Sequence, residues 1–302
     1  MTDNIMDIFD KNIKLLESTE KSICYFREQQ HDIALGMIAD SIDLIRHSIE
    51  AIINNKEYFK LIEADSVMEM LSRILEAYRM EDYILLADLL ELQLVSFIIG
   101  VQELIISKEE LTFSEESFRD NLKQLKKASL GLEKLLEEPI DPQTLLKEGY
   151  RVEFSSCGLM TLAARNKDKS FYFHTNGMIP AEAFMLAKHW YNNKAKRYII
   201  YGLGFGYHIK ELLFLSDNSE MIIYEEDLNV IVLACTFTRL RDLFESGRVK
   251  LVYDPKFQEL KNVINNLQND EKLCVHYPSF LNIRSEKGKK LLKSYVFWSD
   301  AD

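Results

Sequence analysis

Three glycines at alternate positions, Gly202, Gly204 and Gly206, follow the apolar run Tyr198-Ile199-Ile200-Tyr201 and lead directly into Tyr207-His208 and an apolar segment ending near Leu215. A strand, a Gly-x-Gly-x-Gly turn and a helix let backbone approach a nucleotide closely, with the N–H groups of the helix start facing it. The next apolar run, Met221-Ile222-Ile223-Tyr224, ends in Glu225-Glu226-Asp227. Acids about twenty residues past such glycines are placed to accept hydrogen bonds from ribose hydroxyls. His208 falls in the first turn of the expected helix, where an imidazole can meet a phosphate or carboxylate, or simply cap and pack. His276, in His276-Tyr277-Pro278-Ser279, follows the fourth expected strand, at the sheet edge where doubly wound folds place ligands. His174-Thr175-Asn176 closes a short β segment and is expected to approach the same crevice.

The candidate ligand-contacting set is therefore Gly202, Gly204, Gly206, Tyr207, His208, Glu225, Glu226, Asp227 and His276. The same residues have a purely structural reading, with glycines that permit close strand–helix packing and acids that form a solvated strand end. Tyr198, Tyr201, Phe205 and Tyr207 can stack on a base or fill a core. The spacing departs from the dinucleotide fingerprint G-x-G-x-x-G, because the third glycine comes one residue early. It is the spacing of the first motif of S-adenosylmethionine-dependent methyltransferases, although Ile200 stands where those enzymes usually carry an acid. There is no nucleophile elbow and no G-x-x-x-x-G-K-S/T loop. Catalytic residues are not identified.

No metal site is expected. Cys24, Cys157, Cys235 and Cys274 lie far apart with no C-x-x-C pair, and His31, His47 and His189 have no ligand partner at i+4.

Two patterns of elements must position these residues. Up to about residue 138 the chain has no proline and its apolar residues recur at helical spacing, which predicts an all-α bundle. The stripes predict helices over 31–54, with Ile33, Met37, Ile38, Ile42, Leu44, Ile45, Ile49 and Ile52 on a wide apolar face, over 65–78, over 81–107, and from Ser114 to Glu137. The run Leu92–Ile106 is interrupted by Gln93, Gln102 and Glu103 and reads as a buried helix too short to span a bilayer. Glu138-Pro139-Ile140-Asp141-Pro142 marks a break. The expected domains are a bundle over 1–138, a linker over 139–149 and an α/β domain over 150–302.

In that last domain, Arg151–Phe154, Leu159–Ala164 and Ser170–His174 predict a small meander, and a helix starts at Pro180. Strands over 198–203, 220–225, 249–253 and 272–277 then alternate with helices over 207–215, 228–245, 256–268 and 285–296. That alternation predicts a Rossmann-like domain with a mostly parallel sheet.

Charge divides along the same line. Residues 1–150 carry 30 Asp+Glu against 16 Lys+Arg, a net −14, whereas residues 151–302 carry 18 against 21, a net +3. The acidic half is expected to repel nucleic acid and anionic membrane. The widely spaced cysteines and the acidic N-terminus, which has no signal-peptide pattern, predict a cytoplasmic protein.

The segments Phe173-His174-Thr175, Pro180-Ala181-Glu182-Ala183, Tyr201-Gly202-Leu203-Gly204-Phe205-Gly206-Tyr207-His208-Ile209-Lys210-Glu211-Leu212-Leu213 and Ile222–Asp227 resemble the N-terminal domain of the motility accessory factor family. Those bacterial proteins are implicated in flagellin glycosylation with nonulosonic sugars. The resemblance covers roughly residues 150–280. It implies a nucleotide or CMP-sugar as ligand, and flagellin or a protein of the glycosylation machinery as partner of the acidic bundle. Family members continue into a transferase-type domain, and with Asp302 as the last residue that domain is expected to be absent, which leaves open whether this polypeptide is itself an enzyme. Two other readings stand beside this one: a methyltransferase using S-adenosylmethionine, and an interaction module that binds no small ligand.

Overall fold

The structure is a computed structural model that describes residues 3–109, 114–130, 132, 140–147, 149–166 and 169–297. It divides into two compact units. The first comprises Met1–Leu111 with Phe154–Leu159 and Gly177–Ala181, and the second Thr112–Glu153, Met160–Asn176 and Glu182–Asp302.

The first unit is built on long helices. Helix α1 (Asp3–Arg27) and α2 (His31–Asn54) form a hairpin closed by Gln29 in a left-handed conformation, followed by α3 (Ala64–Arg79) and α4 (Tyr83–Lys108). Ile8, Phe9, Ile52, Phe59, Val101 and Ile105 pack into one apolar cluster. The expected wide apolar face of α2 is only partly used. The helix buries Ala34, Ser41, Ser48, Ala51 and Ile52, while Ile33 and Ile42 stand in the open.

Helix α4 begins at Asp82, whose carboxylate accepts from Leu85 N–H at 3.0 Å. It carries a π-helical turn at Leu90–Val95. By length and composition α4 could cross a membrane, a longer element than the apolar run alone suggests. One face, with Leu86, Leu90, Leu94, Ile98, Val101 and Ile105, is buried, while Ile84, Leu85 and Leu92 are exposed. A polar network sits beside these residues. Ser48 Oγ donates to Asn12 Oδ1 (2.7 Å), Asn12 Nδ2 to Gln102 Oε1 (3.3 Å) and Gln102 Nε2 to the Phe9 carbonyl (3.1 Å).

The second unit opens with α5 (Glu115–Ala128), capped by Ser114 Oγ on Ser117 N–H. A two-residue strand β1 (Ser129–Leu130) follows, where helix was expected to continue. Residues 131 and 133–139, which include the prolyl break at Pro139, lie outside the described residues. After α6 (Pro142–Lys147) comes the expected meander β2 (Arg151–Phe154), β3 (Met160–Asn166) and β4 (Lys169–Tyr172), its sheet ordered β2-β3-β4. The remaining elements are α7 (Ile179–Trp190), β5 (Arg197–Tyr201), α8 (Tyr207–Leu215), β6 (Glu220–Glu225), α9 (Leu228–Phe237), α10 (Arg241–Phe244), β7 (Val249–Tyr253), α11 (Gln258–Asn265), β8 (Glu271–Val275), α12 (Tyr277–Asn282) and α13 (Glu286–Phe297). The predicted helix over 228–245 is split at Thr238–Leu240. Asn121 of α5 occupies that break, donating to the Cys235 and Thr238 carbonyls and accepting from Arg241 N–H.

The main sheet has the order β1-β7-β6-β5-β8, with all neighbours parallel. From β5 the chain winds through β6 to β7 on one side, then crosses to β8 on the other. The direction of winding therefore reverses between β5 and β8. In open parallel sheets such a reversal opens a crevice at the carboxyl ends of the two flanking strands. The glycine turn leaves β5 and His276 follows β8, so both lie at the carboxyl ends of those strands, where they are buried.

Candidate functional site

The glycine turn closes on the chain's own side chains. Gly202 and Gly204 both have positive φ (102° and 49°). A Cβ at Gly202 would lie 2.3 Å from Ser279 Oγ, and one at Gly204 would lie 2.7 Å from His174 Nε2 and 3.3 Å from His276 Cε1. Three N–H groups of the turn are already engaged: Leu203 with the Glu225 carboxylate (2.9 Å), Phe205 with His174 Nε2 (2.9 Å) and Gly206 with the Leu203 carbonyl (2.9 Å). The glycines thus serve close approach of imidazole and hydroxyl groups belonging to the same unit.

At the centre are three histidines from three different connections. His174 follows β4, where Phe173 N–H still bonds to the Leu162 carbonyl (2.8 Å) and Thr161 Oγ1 donates to the His174 carbonyl (2.7 Å). His208 lies in the first turn of α8, and His276 stands at the position just before α12. All three are at most 2 % exposed. The His208 and His276 rings stack at 4.3 Å and 9°, and His174 stacks on His276 at 5.2 Å and 29°. Each offers a ring nitrogen within 4.8 Å of the others.

Hydrogen bonds orient the rings. A carbonyl can only accept, so His208 Nε2, 3.2 Å from the Gly202 carbonyl, carries the proton, and Nδ1 is left as a lone pair. His276 Nδ1 pairs with Ser279 Oγ at 2.8 Å. His174 accepts from Phe205 on Nε2, which directs its Nδ1 proton toward Glu182 Oε1 at 3.8 Å. His208 Nδ1 and His276 Nε2 have no hydrogen-bond partner among the described residues. Burial lowers all three pKa values, His208 to about 4 and the other two well below the usual histidine range, where the neighbouring imidazoles add to the effect. The rings are therefore neutral lone-pair donors at physiological pH.

The three acids separate into different roles. Glu225 is buried and accepts from Leu203 and Asp227 N–H groups, tying the turn to the end of β6; burial pushes its pKa up to about 8. Asp227 caps α9 through Asn229 N–H and also binds Tyr150 Oη and Asn282 Nδ2, both at 2.8 Å. Glu226 is partly exposed, accepts from Arg284 N–H at 3.2 Å, and is raised to about 7, chiefly by burial. Arg284 Nη2 also reaches Tyr150 Oη at 3.4 Å. Tyr150, Asn282 and Arg284 complete this polar group and were not singled out from sequence. Tyr207, partly exposed, donates to the Met160 carbonyl at 2.9 Å and stands edge-on to His174.

Comparison with known proteins gives two separate matches along the chain. No curated protein and no solved structure matches it. Residues 5–104 match a domain of unknown function, DUF8042. Residues 147–250, which carry the meander, the glycine turn and the acids, match the glycosyltransferase Maf N-terminal domain, and this segment is thereby similar to a domain associated with flagellin glycosylation.

Proposed function

We propose that the chain is an accessory protein of flagellin or surface-protein glycosylation, whose Rossmann-like α/β unit binds a nucleotide or sugar nucleotide and whose acidic helical region docks a protein partner. The observation that carries this reading is the match of residues 147–250 to the Maf N-terminal domain. The winding reversal between β5 and β8 supports it, because it sets the matched turn beside Glu226 at the carboxyl edge of the sheet. The turn's N–H groups at Leu203, Phe205 and Gly206 are engaged internally. A ligand is therefore taken along the outer edge: Glu226 accepts ribose hydroxyls, and the Arg284 guanidinium, held near Tyr150, meets phosphate.

Isothermal titration calorimetry of the full chain with CMP, CMP-activated sugars, other nucleotides and S-adenosylmethionine tests the ligand half. The expected result is saturable binding of a nucleotide, weakened at least tenfold by Glu226→Ala. No heat corresponding to a Kd tighter than about 1 mM, roughly −4 kcal/mol, sinks it. Binding of S-adenosylmethionine alone would replace it with the methyltransferase reading.

A further inference from the structure

We propose that His174, His208 and His276 form a binding site for a divalent transition-metal ion of the zinc class. Two buried ring nitrogens, His208 Nδ1 and His276 Nε2, point into the cluster without a partner, although burial normally forces a polar atom to find one. Each of these rings has its other nitrogen held from outside, His208 by the Gly202 carbonyl and His276 by Ser279 Oγ. For His208 that is the outer-shell pattern that fixes the tautomer of a metal-binding histidine and turns the second lone pair toward the ion; His276 matches it in the tautomer whose Nδ1 donates to the Ser279 hydroxyl. The third ring differs: Glu182 faces His174 Nδ1 at 3.8 Å, and Nε2 accepts from Phe205 N–H, a bond that is exchanged for the ion when His174 ligates it.

The donor set also selects the class of ion. Three neutral imidazoles suit Zn2+ and similar borderline ions, whereas Mg2+ and Ca2+ require oxygen ligands. Zn–N bonds of about 2.0–2.1 Å bring tetrahedral ligand atoms to about 3.3 Å of each other, so the nitrogens draw in from their present spacing and the stacked rings turn apart. Gly204 makes this movement possible: any Cβ there would occupy the space of His174 Nε2 and His276 Cε1. Because the histidines are buried, the ion loads as the unit folds.

The test supplies metal during folding. The full chain is unfolded in guanidinium with chelator, refolded with Co2+, Zn2+ or Mg2+, desalted, and examined by elemental analysis, visible absorption and thermal melting. We expect one Co2+ per chain with the intense d–d bands of a tetrahedral site, a Tm several degrees higher with Zn2+ than with chelator, and no effect of Mg2+. His208→Gln and His276→Gln should each lower Co2+ affinity at least tenfold, while His189→Gln, an exposed histidine elsewhere on α7, should not change it. Refolded wild-type protein with native circular dichroism but no bound Co2+ and no Zn2+-dependent Tm overturns the proposal, whatever the variants do. So does tetrahedral Co2+ that survives His208→Gln and His276→Gln together.

Discussion

Two groups of buried polar side chains, one in each unit, respond to burial in opposite ways. In the helical unit, Asn12, Ser48 and Gln102 bond to one another and to the Phe9 carbonyl, and none of their polar atoms is left without a partner. In the α/β unit, His174, His208 and His276 are equally buried, yet two of their nitrogens have none. The first group cross-links α1, α2 and α4 and has nothing left with which to bind. The second has unused valence held in place by a surrounding shell. Burial of polar groups is thus common to scaffold and site, and the distinguishing property is what remains after internal hydrogen bonds are made. Glu20 shows a third response: it is buried with Oε1 unpartnered, and burial, aided by Glu91, pushes its pKa up to about 7, so the carboxyl keeps its proton in mildly acidic solution.

The contrast can be broken by mutation, and the largest effect is expected where backbone meets the histidine cluster. Gly202→Ala places a methyl group within 2.4 Å of both Ser279 Oγ and Cβ at φ 102°, and should destabilise the α/β unit by about 3 kcal/mol or more in urea denaturation. Survival of Gly202→Ala with wild-type stability would mean that the turn is loosely built and that the cluster is not walled in by it. Removing a member of the closed network comes next. Gln102→Leu leaves Asn12 and the Phe9 carbonyl short of partners and should cost about 2 kcal/mol, read as a lower midpoint of helical unfolding.

Glu20 tests the third response. Its folded pKa of about 7 lies above the ordinary glutamate value near 4.5. Its contribution to stability is therefore fully present below about pH 4.5 and is lost as pH rises through about 7. Glu20→Gln should flatten that slope and make the protein more stable at pH 8 by about 1–2 kcal/mol, and an unchanged slope between pH 5 and 8 would show that the carboxyl is not desolvated. The smallest change is expected on the surface. Arg27 binds Asp88 and Glu91 at 2.5 and 2.9 Å but is 44 % exposed, so Arg27→Ala should move the denaturation midpoint by no more than about 1 kcal/mol.

Much of the scaffold is legible in the sequence because long periodic segments overdetermine it. Helix α2, strands β6 and β7 and helix α8 fall where apolar spacing and turn residues put them. The failures are short or context-driven. Strand β1 has two residues, too few to show a period, and exists because β7 offers it a parallel partner. Helix α12 has six residues; Pro278 in its first turn is a signal that could have revealed it. The division between α9 and α10 follows from Asn121, more than a hundred residues earlier in the chain.

For the site, the glycine spacing, the helix-start position of His208 and the strand-end position of His276 are readable one at a time. The approach of His174 is expected from the end of the meander, but its stacking on His276 depends on where the meander delivers Phe173, which no local pattern encodes. Likewise, Glu225, Glu226 and Asp227 look alike as a run of acids. The pleat at the end of β6 turns one into the interior and commits another to capping α9.

The small strand β1 bears on how this chain can be dissected. The segment similar to a Maf N-terminal domain starts at residue 147, which invites expression of a piece beginning there. Such a piece would lack Ser129-Leu130, which pairs with Leu251 and Val252, and Asn121, which fills the break between α9 and α10. It would present the bare edge of β7 to other copies of itself, a template for intermolecular pairing. A piece beginning at Ser114 keeps both, and the two should differ visibly in solubility before any ligand is added.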